Sequence, residues 1–238
     1  VGVHDETRMG ALRIKTDLNG EFLDNDTQWS APPITSLAEL EQASWLLEQD
    51  DTPQVRRWLQ ILLAPGSSLG GARPKANVRN TDGRLWIAKF PSRNDKTNIG
   101  AWEALTMELA RRCDIQVAPF EVKYMNNKHA IFLTQRFDRD EQGRRVHFTS
   151  AMTMLGYSDG DMQGCSYLEL ADWISRYCCC VEENLRELFK RIVFNIAVSN
   201  CDDHLRNHGF ILTRNGWTLS PAYDLNPQHY GIGLSLNI

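Results

Sequence analysis

One stretch sets more conditions on the fold than any other: Ser199-Asn200-Cys201-Asp202-Asp203-His204-Leu205-Arg206-Asn207-His208. It follows an apolar series at helical spacing, Leu185, Leu188, Phe189, Ile192, Val193 and Ile196, which reads as core. It precedes a hairpin pattern, Gly209 to Thr213, the turn Asn215-Gly216, and Trp217 to Leu219. Carboxylates, imidazoles and amides set between a core helix and a hairpin are expensive unless they are solvated or used. The bland alternative is a cap-and-turn cluster closing the helix, a task that suits Asp and Asn. Zinc at Cys201, His204 and His208 is another alternative, with no clear fourth ligand.

The rest of the chain frames that loop. Its 238 residues suffice for one large domain or two small lobes. A net charge of -4 argues against a protein that mainly coats nucleic acid. No apolar run approaches the ~20 residues of a membrane span, and the start, Val1 to Glu6, has no signal-peptide pattern, so a soluble cytoplasmic protein with no membrane partner is expected. Three of the six cysteines are consecutive (Cys178, Cys179, Cys180) and none forms a repeated C-x-x-C pair, which fits reduced thiols.

Met9 to Ile14 reads as a strand closed by Asn19-Gly20. Ser36 with Glu39 opens a helix from Leu37 to Leu47, and Thr52-Pro53 opens one from Val55 to Leu63. After the small-residue loop Gly66 to Lys75, Ala76 to Arg79 and Arg84 to Phe90 read as strands joined by Thr81-Asp82-Gly83. Ile99, Trp102, Leu105 and Leu109 mark a helix, and Val117 to Val122 and Ala130 to Leu133 are further strands. Ser166 with Glu169 caps a helix through Trp173 and Tyr177. The pattern is a sheet-rich lobe feeding a helical one.

Four residues separate Asp202 from Asn207, the spacing found in the catalytic loop of protein kinases. That chemistry needs a carboxylate aimed at the incoming hydroxyl and, one turn later, an amide oxygen on a magnesium ion. A second magnesium carboxylate then lies beyond a hairpin, where Asp224 stands. A lysine on a strand must meet the nucleotide's phosphates, and Lys89 is placed for it; Glu103 is its natural partner on the next helix, with Glu108 an alternative the helical period leaves open. Ser68 to Lys75 supplies a glycine loop whose backbone approaches phosphates closely. It is not a Walker A loop, since Ala72 follows Gly71 and no Ser or Thr follows Lys75.

Together Ser68-Leu69-Gly70-Gly71-Ala72-Arg73-Pro74-Lys75, Ala88-Lys89-Phe90, Gln135-Arg136-Phe137-Asp138-Arg139, the Asn200 to Asn207 loop and Ala222-Tyr223-Asp224-Leu225-Asn226-Pro227 resemble the HipA family of toxin kinases. The resemblance implies an α+β, bilobal, protein-kinase-like fold distantly related to phosphatidylinositol kinases. It implies a serine/threonine protein kinase using ATP and Mg2+, the toxin of a bacterial toxin–antitoxin pair. The implied partners are a HipB-like DNA-binding antitoxin, which alone brings the kinase to DNA, and a protein substrate such as an aminoacyl-tRNA synthetase. By resemblance Asp202 is the catalytic base, Asn207 and Asp224 are the magnesium ligands, and Lys89 is the phosphate-binding lysine. Gly70, Gly71, Ala72, Arg73, Pro74 and Lys75 form the nucleotide loop. Gln135, Arg136 and Phe137 pass the adenine, His204 and Tyr223 line the nucleotide site, and Ser68 is the autophosphorylation candidate, with Ser67 its rival.

The implied parts are an N-terminal subdomain (1–65), a nucleotide-binding lobe (66–137) and a catalytic lobe (138–238). Arg73-Pro74 departs from the best-known members, and Pro74 has no amide hydrogen to offer. Those members continue past the Tyr-Asp-Leu motif into a further helical region, so the catalytic lobe is expected to be incomplete. Two rival functions stand beside this one: a non-catalytic kinase-fold module that binds an antitoxin, and a small-molecule kinase.

Overall fold

The computed structural model describes residues 4–26, 30–47, 73–158, 164–228 and 233–236. The helix expected from Val55 to Leu63 lies outside them. Contacts divide the chain into one unit of residues 1–104 and 119–143 and another of residues 105–118 and 144–238.

The first unit is built on an antiparallel sheet. Its strands are β1 (Lys75–Arg79), β2 (Leu85–Lys89), β3 (Phe120–Lys123) and β4 (Ile131–Gln135), in the order β1-β2-β4-β3. Alternation in β1 turns Ala76 and Val78 inward, where they meet Ala88, Phe90, Ile131 and Leu133. Helix α1 (Leu37–Leu47), entered through a 3-10 turn at Ile34–Ser36, closes this core with Leu37 and Leu40. The β1–β2 turn bonds Gly83 N–H to the Asn80 carbonyl, and Gly83 takes a φ of +82°, which a glycine adopts without strain.

Helix α2 (Ile99–Arg112) begins where Asn98 accepts hydrogen bonds from the amides of Ala101 and Ala130. A Cβ on Gly100 would lie 2.3 Å from the Ala130 carbonyl oxygen, so glycine alone permits this approach. The buried positions of α2 are Glu103, Thr106, Met107 and Ala110, while Trp102, Leu105 and Leu109 are exposed. Met9 to Ile14 is not a strand. Gly10 gives its N–H to the buried carboxylate of Asp138 at 2.7 Å instead of to a ladder, and Leu12 and Ile14 face solvent.

The second unit holds the sheet β5 (His147–Ser150), β6 (Gly209–Thr213) and β7 (Gly216–Leu219), with helices α3 (Ala151–Met154), α4 (Tyr167–Tyr177) and α5 (Val181–Ala197). Ser166 and Glu169 form the expected capping box on α4. Leu170, Trp173 and Ile174 of α4 pack with Leu188, Leu205, Phe210 and Leu219, and the Trp173 and Phe210 rings lie 4.1 Å apart. The apolar stripe assigned to the core of α5 is only partly there. Leu188 is buried, but Phe189, Val193 and Ile196 are exposed, and the inner face carries Asn184, Glu187, Arg191, Phe194 and Asn195. Those polar groups have work: Asn184 Oδ1 accepts from the Leu219 amide, and its amide group donates to the carbonyls of Cys179 and Cys180. All six cysteines are free, and among the described residues no helix is long and apolar enough to cross a membrane.

Candidate functional site

After α5 the chain turns through Ser199 at a φ of +55° and enters the polar loop. Asp202 points its side chain to solvent, whereas its neighbour Asp203 is only 1% exposed. The Asn207 amide nitrogen donates to the Asp202 carbonyl oxygen at 3.1 Å. A carbonyl only accepts, so this bond fixes the amide's orientation and turns Asn207 Oδ1 away from it, available as an oxygen ligand.

Asp224 belongs to the same assembly. It sits at a φ of +59°, a conformation Asp tolerates better than most residues, and its Oδ1 accepts from Asn226 at 3.0 Å. Three bonds stitch its segment to the loop. Tyr223 donates from its hydroxyl to the Arg206 carbonyl at 2.6 Å, Gln228 N–H to the Ser199 carbonyl at 3.0 Å, and Ser235 Oγ to the Cys201 carbonyl. Burial first and the Asp224 charge second raise the Tyr223 pKa, which keeps the phenol a donor. Beneath, the buried Arg191 binds Glu187 Oε1 at 2.9 Å and the Ser220 carbonyl at 2.8 Å, while Ala222 N–H donates to the Gln116 carbonyl. Burial pulls the Arg191 pKa down and Glu187 pushes it back.

His208 turns its Nε2 to Asp203 at 2.8 Å, and no cluster of three metal-ligating side chains occurs among the described residues, so the zinc alternative falls. His204 buries its Nδ1 without a hydrogen-bond partner among those residues.

In the first unit, Lys89 Nζ donates to Glu103 Oε1 at 2.6 Å, with the two side chains 15% and 4% exposed, and lies 5.7 Å from the Phe132 ring centre. The choice left open by the helical period is thereby made. Glu108 instead faces Arg111 and Arg112, and its hydrogen bond from Arg112 is the main cause holding its pKa low. Lys75 is the cross-strand partner of Lys89, which places both lysines on one face of the sheet. Arg73 is fastened to Asp95 at 2.9 Å, and Pro74 gives its carbonyl to Phe90 N–H. Ser67, Ser68, Gly70, Gly71 and Ala72 lie outside the described residues.

Gln135 ends β4, with its N–H on the Pro119 carbonyl, and Phe137 is partly buried. Arg136 is fully buried. Its guanidinium binds both oxygens of Asp138 (2.8 and 2.6 Å), Asn77 Oδ1 (2.6 Å) and the Thr7 carbonyl (2.7 Å). Burial would raise the Asp138 pKa, but Arg136, Arg139 and the Gly10 amide outweigh it and hold it below the ordinary value. The Arg136 side chain is thus committed to anchoring the N-terminal segment, and its backbone N–H donates to the Leu85 carbonyl at 3.0 Å.

Sequence reasoning assigns no role to Glu187, Arg191 or Tyr167 and none to Asp203 beyond its place in the loop. For Glu187 and Arg191 a signal exists, the polar series Asn184, Glu187, Arg191 and Asn195 at helical spacing on α5; for the Tyr167–Asp203 pair, which spans two elements, there is none.

Residues 67–238 match the HipA-like C-terminal domain family. A putative kinase of Haemophilus influenzae is 32% identical over 107 residues, covering 42% of this chain and 31% of that protein. The serine/threonine-protein kinase toxin HipA of Shewanella oneidensis is 23% identical over 191 residues, covering 68% of this chain and 43% of the toxin. The chain therefore spans less than half the length of these curated relatives. Among solved structures, the Shewanella oneidensis complex of HipA, HipB and operator DNA contains a chain that matches with a TM-score of 0.65 at 20% identity, covering 92% of this chain and 56% of that one. At that identity the likeness establishes the fold, which is α+β and kinase-like.

Proposed function

The chain belongs to the HipA-like C-terminal domain family, and from that premise we propose that it carries the catalytic groups of an ATP- and Mg2+-dependent serine/threonine protein kinase. The observation that carries this reading is the assembly of an outward Asp202, an Asn207 oxygen freed by its own amide bond, and an Asp224 stitched to the same loop.

Asp202 accepts the proton of the attacking hydroxyl. Lys89, held by Glu103, binds the nucleotide's phosphates, with Lys75 on the same sheet face; Gly70, Gly71, Ala72, Arg73 and Pro74 are assigned to the nucleotide loop by the family resemblance. A hard divalent cation takes oxygen ligands and fills its remaining positions with water and phosphate, so one amide oxygen and one carboxylate are a fitting protein contribution. Asn207 and Asp224 are the residues to hold it. When bound, Mg2+ supplies neutralisation of charge on the phosphoryl oxygens. Gln135, Phe137 and the carbonyl of Arg136 border the adenine, and His204 and Tyr223 line the nucleotide side.

A phosphate on Ser68 brings roughly -1.5 to -2 charges against the nucleotide's own phosphates and switches the site off. In the wider reading, residues 1–65, 66–137 and 138–238 are successive subdomains, a HipB-like antitoxin is the partner that reaches DNA, and the cytoplasmic substrate is a protein such as an aminoacyl-tRNA synthetase.

Intact-mass spectrometry after incubation with ATP and Mg2+ tests the reading, run beside Asp202→Asn and with a protein acceptor supplied. A phosphoryl gain on chain or acceptor with the parent alone is the expected result. Equal transfer by Asp202→Asn overturns the assignment of the base.

A further inference from the structure

Asp203 is used in a way that none of the roles above requires. Its carboxylate is buried at 1% exposure, directly beside the solvent-facing Asp202. One oxygen, Oδ2, accepts from the Tyr167 hydroxyl at 2.5 Å and meets His208 Nε2 at 2.8 Å. The Tyr167 and His208 rings stand edge to face, 5.9 Å between centres at 90°. Burial alone raises the pKa of such a carboxyl, yet His208, Tyr167 and Asn195 together outweigh it and hold Asp203 below the ordinary aspartate range.

The anchors come from separate elements. Tyr167 is the first residue of α4, Asn195 lies near the end of α5, and His208 directly precedes β6. The sequence positions of the pair matter as much as the bonds. Asp203 follows the proposed base, and His208 follows the proposed metal-ligand amide, so their contact is a strap across the loop that ties residue 202 to residue 207. The His208 carbonyl accepts from Ala151 N–H at 2.8 Å and the Leu205 carbonyl from Met152 N–H at 3.2 Å, which seats the strap on α3. Leu205, between Asp203 and His208 in sequence, is fully buried in the apolar cluster of this unit.

We propose that Asp203 is the positioning residue of the loop, holding Asp202 and Asn207 in register through Tyr167 and His208. The proposal rests on the reading of Asp202 and Asn207 given above. Outer-shell partners of metal-binding groups typically alter metal affinity about 10–100-fold when removed. Asp203 is expected to act in that way on Asn207 without touching the nucleotide.

The test pairs two measurements on Tyr167→Phe, His208→Leu and His208→Gln, each of which spares the buried carboxylate itself. The first is amide hydrogen exchange of peptides within residues 199–208, with residues 75–89 as an internal reference. The second is calorimetric binding of a non-hydrolysable ATP analogue with and without Mg2+. Tyr167→Phe and His208→Leu are expected to exchange faster in the loop alone. They should lose about ten-fold of the affinity gained on adding Mg2+, with metal-free affinity unchanged. His208→Gln, which keeps a donor for Asp203, is expected to recover most of both. Loop exchange equal to the parent's in both disruptive variants overturns the proposal, as does an equal loss of affinity with and without the metal. A parent whose nucleotide affinity ignores Mg2+ sinks the functional reading instead, and the exchange comparison then decides the strap by itself.

Discussion

Helices α4 and α5 are neighbours of similar amphipathic appearance that hold the second unit together by different physics. The inner face of α4 is Tyr167, Leu170, Trp173 and Ile174; apart from the Tyr167 hydroxyl, which binds Asp203, its contribution is removal of apolar area from water. The inner face of α5 is Asn184, Glu187, Leu188, Arg191, Phe194 and Asn195, and much of its contribution is directed bonding to the β7 end, to Ser220 and to Gln116. Apolar contacts tolerate small shifts, whereas a bonded charge fixes the group it holds. The helix that leads into the polar loop is the one with the bonded interior.

The largest way to break the contrast is Glu187→Leu. It strands the fully buried Arg191, whose main ion-pair partner it removes, and a loss of about 3–5 kcal/mol in urea unfolding is expected. The double change Glu187→Leu with Arg191→Met removes both charges and is expected to recover most of that loss. A double variant as unstable as the single one shows that the bonds to Ser220 and Gln116, and not charge pairing, are what α5 provides.

On the other helix, Ile174→Ala creates a cavity in a fully buried apolar site, and a loss of about 2–5 kcal/mol is expected. No second substitution of a partner should rescue it, because there is no stranded charge to remove. Rescue by a change on a neighbouring residue is the outcome that contradicts this account of α4.

The buried polar and apolar contacts of this unit also differ in their response to acid. Asp203 has a folded-state pKa below its ordinary value of 3.8, so its contribution is complete above that value and disappears as pH falls through the folded pKa. Asp203→Asn is therefore expected to flatten the acid limb of the stability profile below about pH 5. An unaltered acid limb contradicts a charged Asp203. The apolar side of α4 contributes nothing to this slope, so Ile174→Ala displaces the whole profile without changing its shape.

Ser166→Ala removes the side-chain half of the capping box, and a loss of about 1 kcal/mol is expected. This cap was legible in the sequence, as were the β1–β2 hairpin with its Gly83 turn, the strand position of Lys89 and the hairpin after the polar loop. Those features depend on residues close in sequence, where local chemistry decides. The strand expected at Met9 to Ile14 was lost to a partner distant in sequence, the Asp138 carboxylate. The inner face of α5 differs from its apolar stripe for a related reason. An apolar stripe marks the buried face only when burial is the helix's task, and Glu103 on α2, like Glu187 and Arg191 on α5, is buried to hold something. The candidate site was legible as a set of residue types at workable spacing. Its supports were not, because Tyr167 meets Asp203 across 36 positions of chain.

The smallest expected effect separates the two readings of α5 most cleanly. By apolar spacing Phe189 is a core residue, and removing a core phenylalanine costs about 3–5 kcal/mol. In the structure Phe189 is 65% exposed, while Phe194 on the same helix is 6% exposed. Phe189→Ser is accordingly expected to change stability by no more than about 0.5 kcal/mol, as for other substitutions away from the core. Phe194→Ala should lose the full core amount, and urea midpoints of the two variants measured side by side supply the comparison. A Phe189 loss as large as that of Phe194 would restore the apolar stripe as the buried face and remove the ground for assigning the interior of α5 to Glu187 and Arg191. A negligible loss at Phe189 beside a full loss at Phe194 leaves the polar series facing inward, where it supports the segment that carries Asp224.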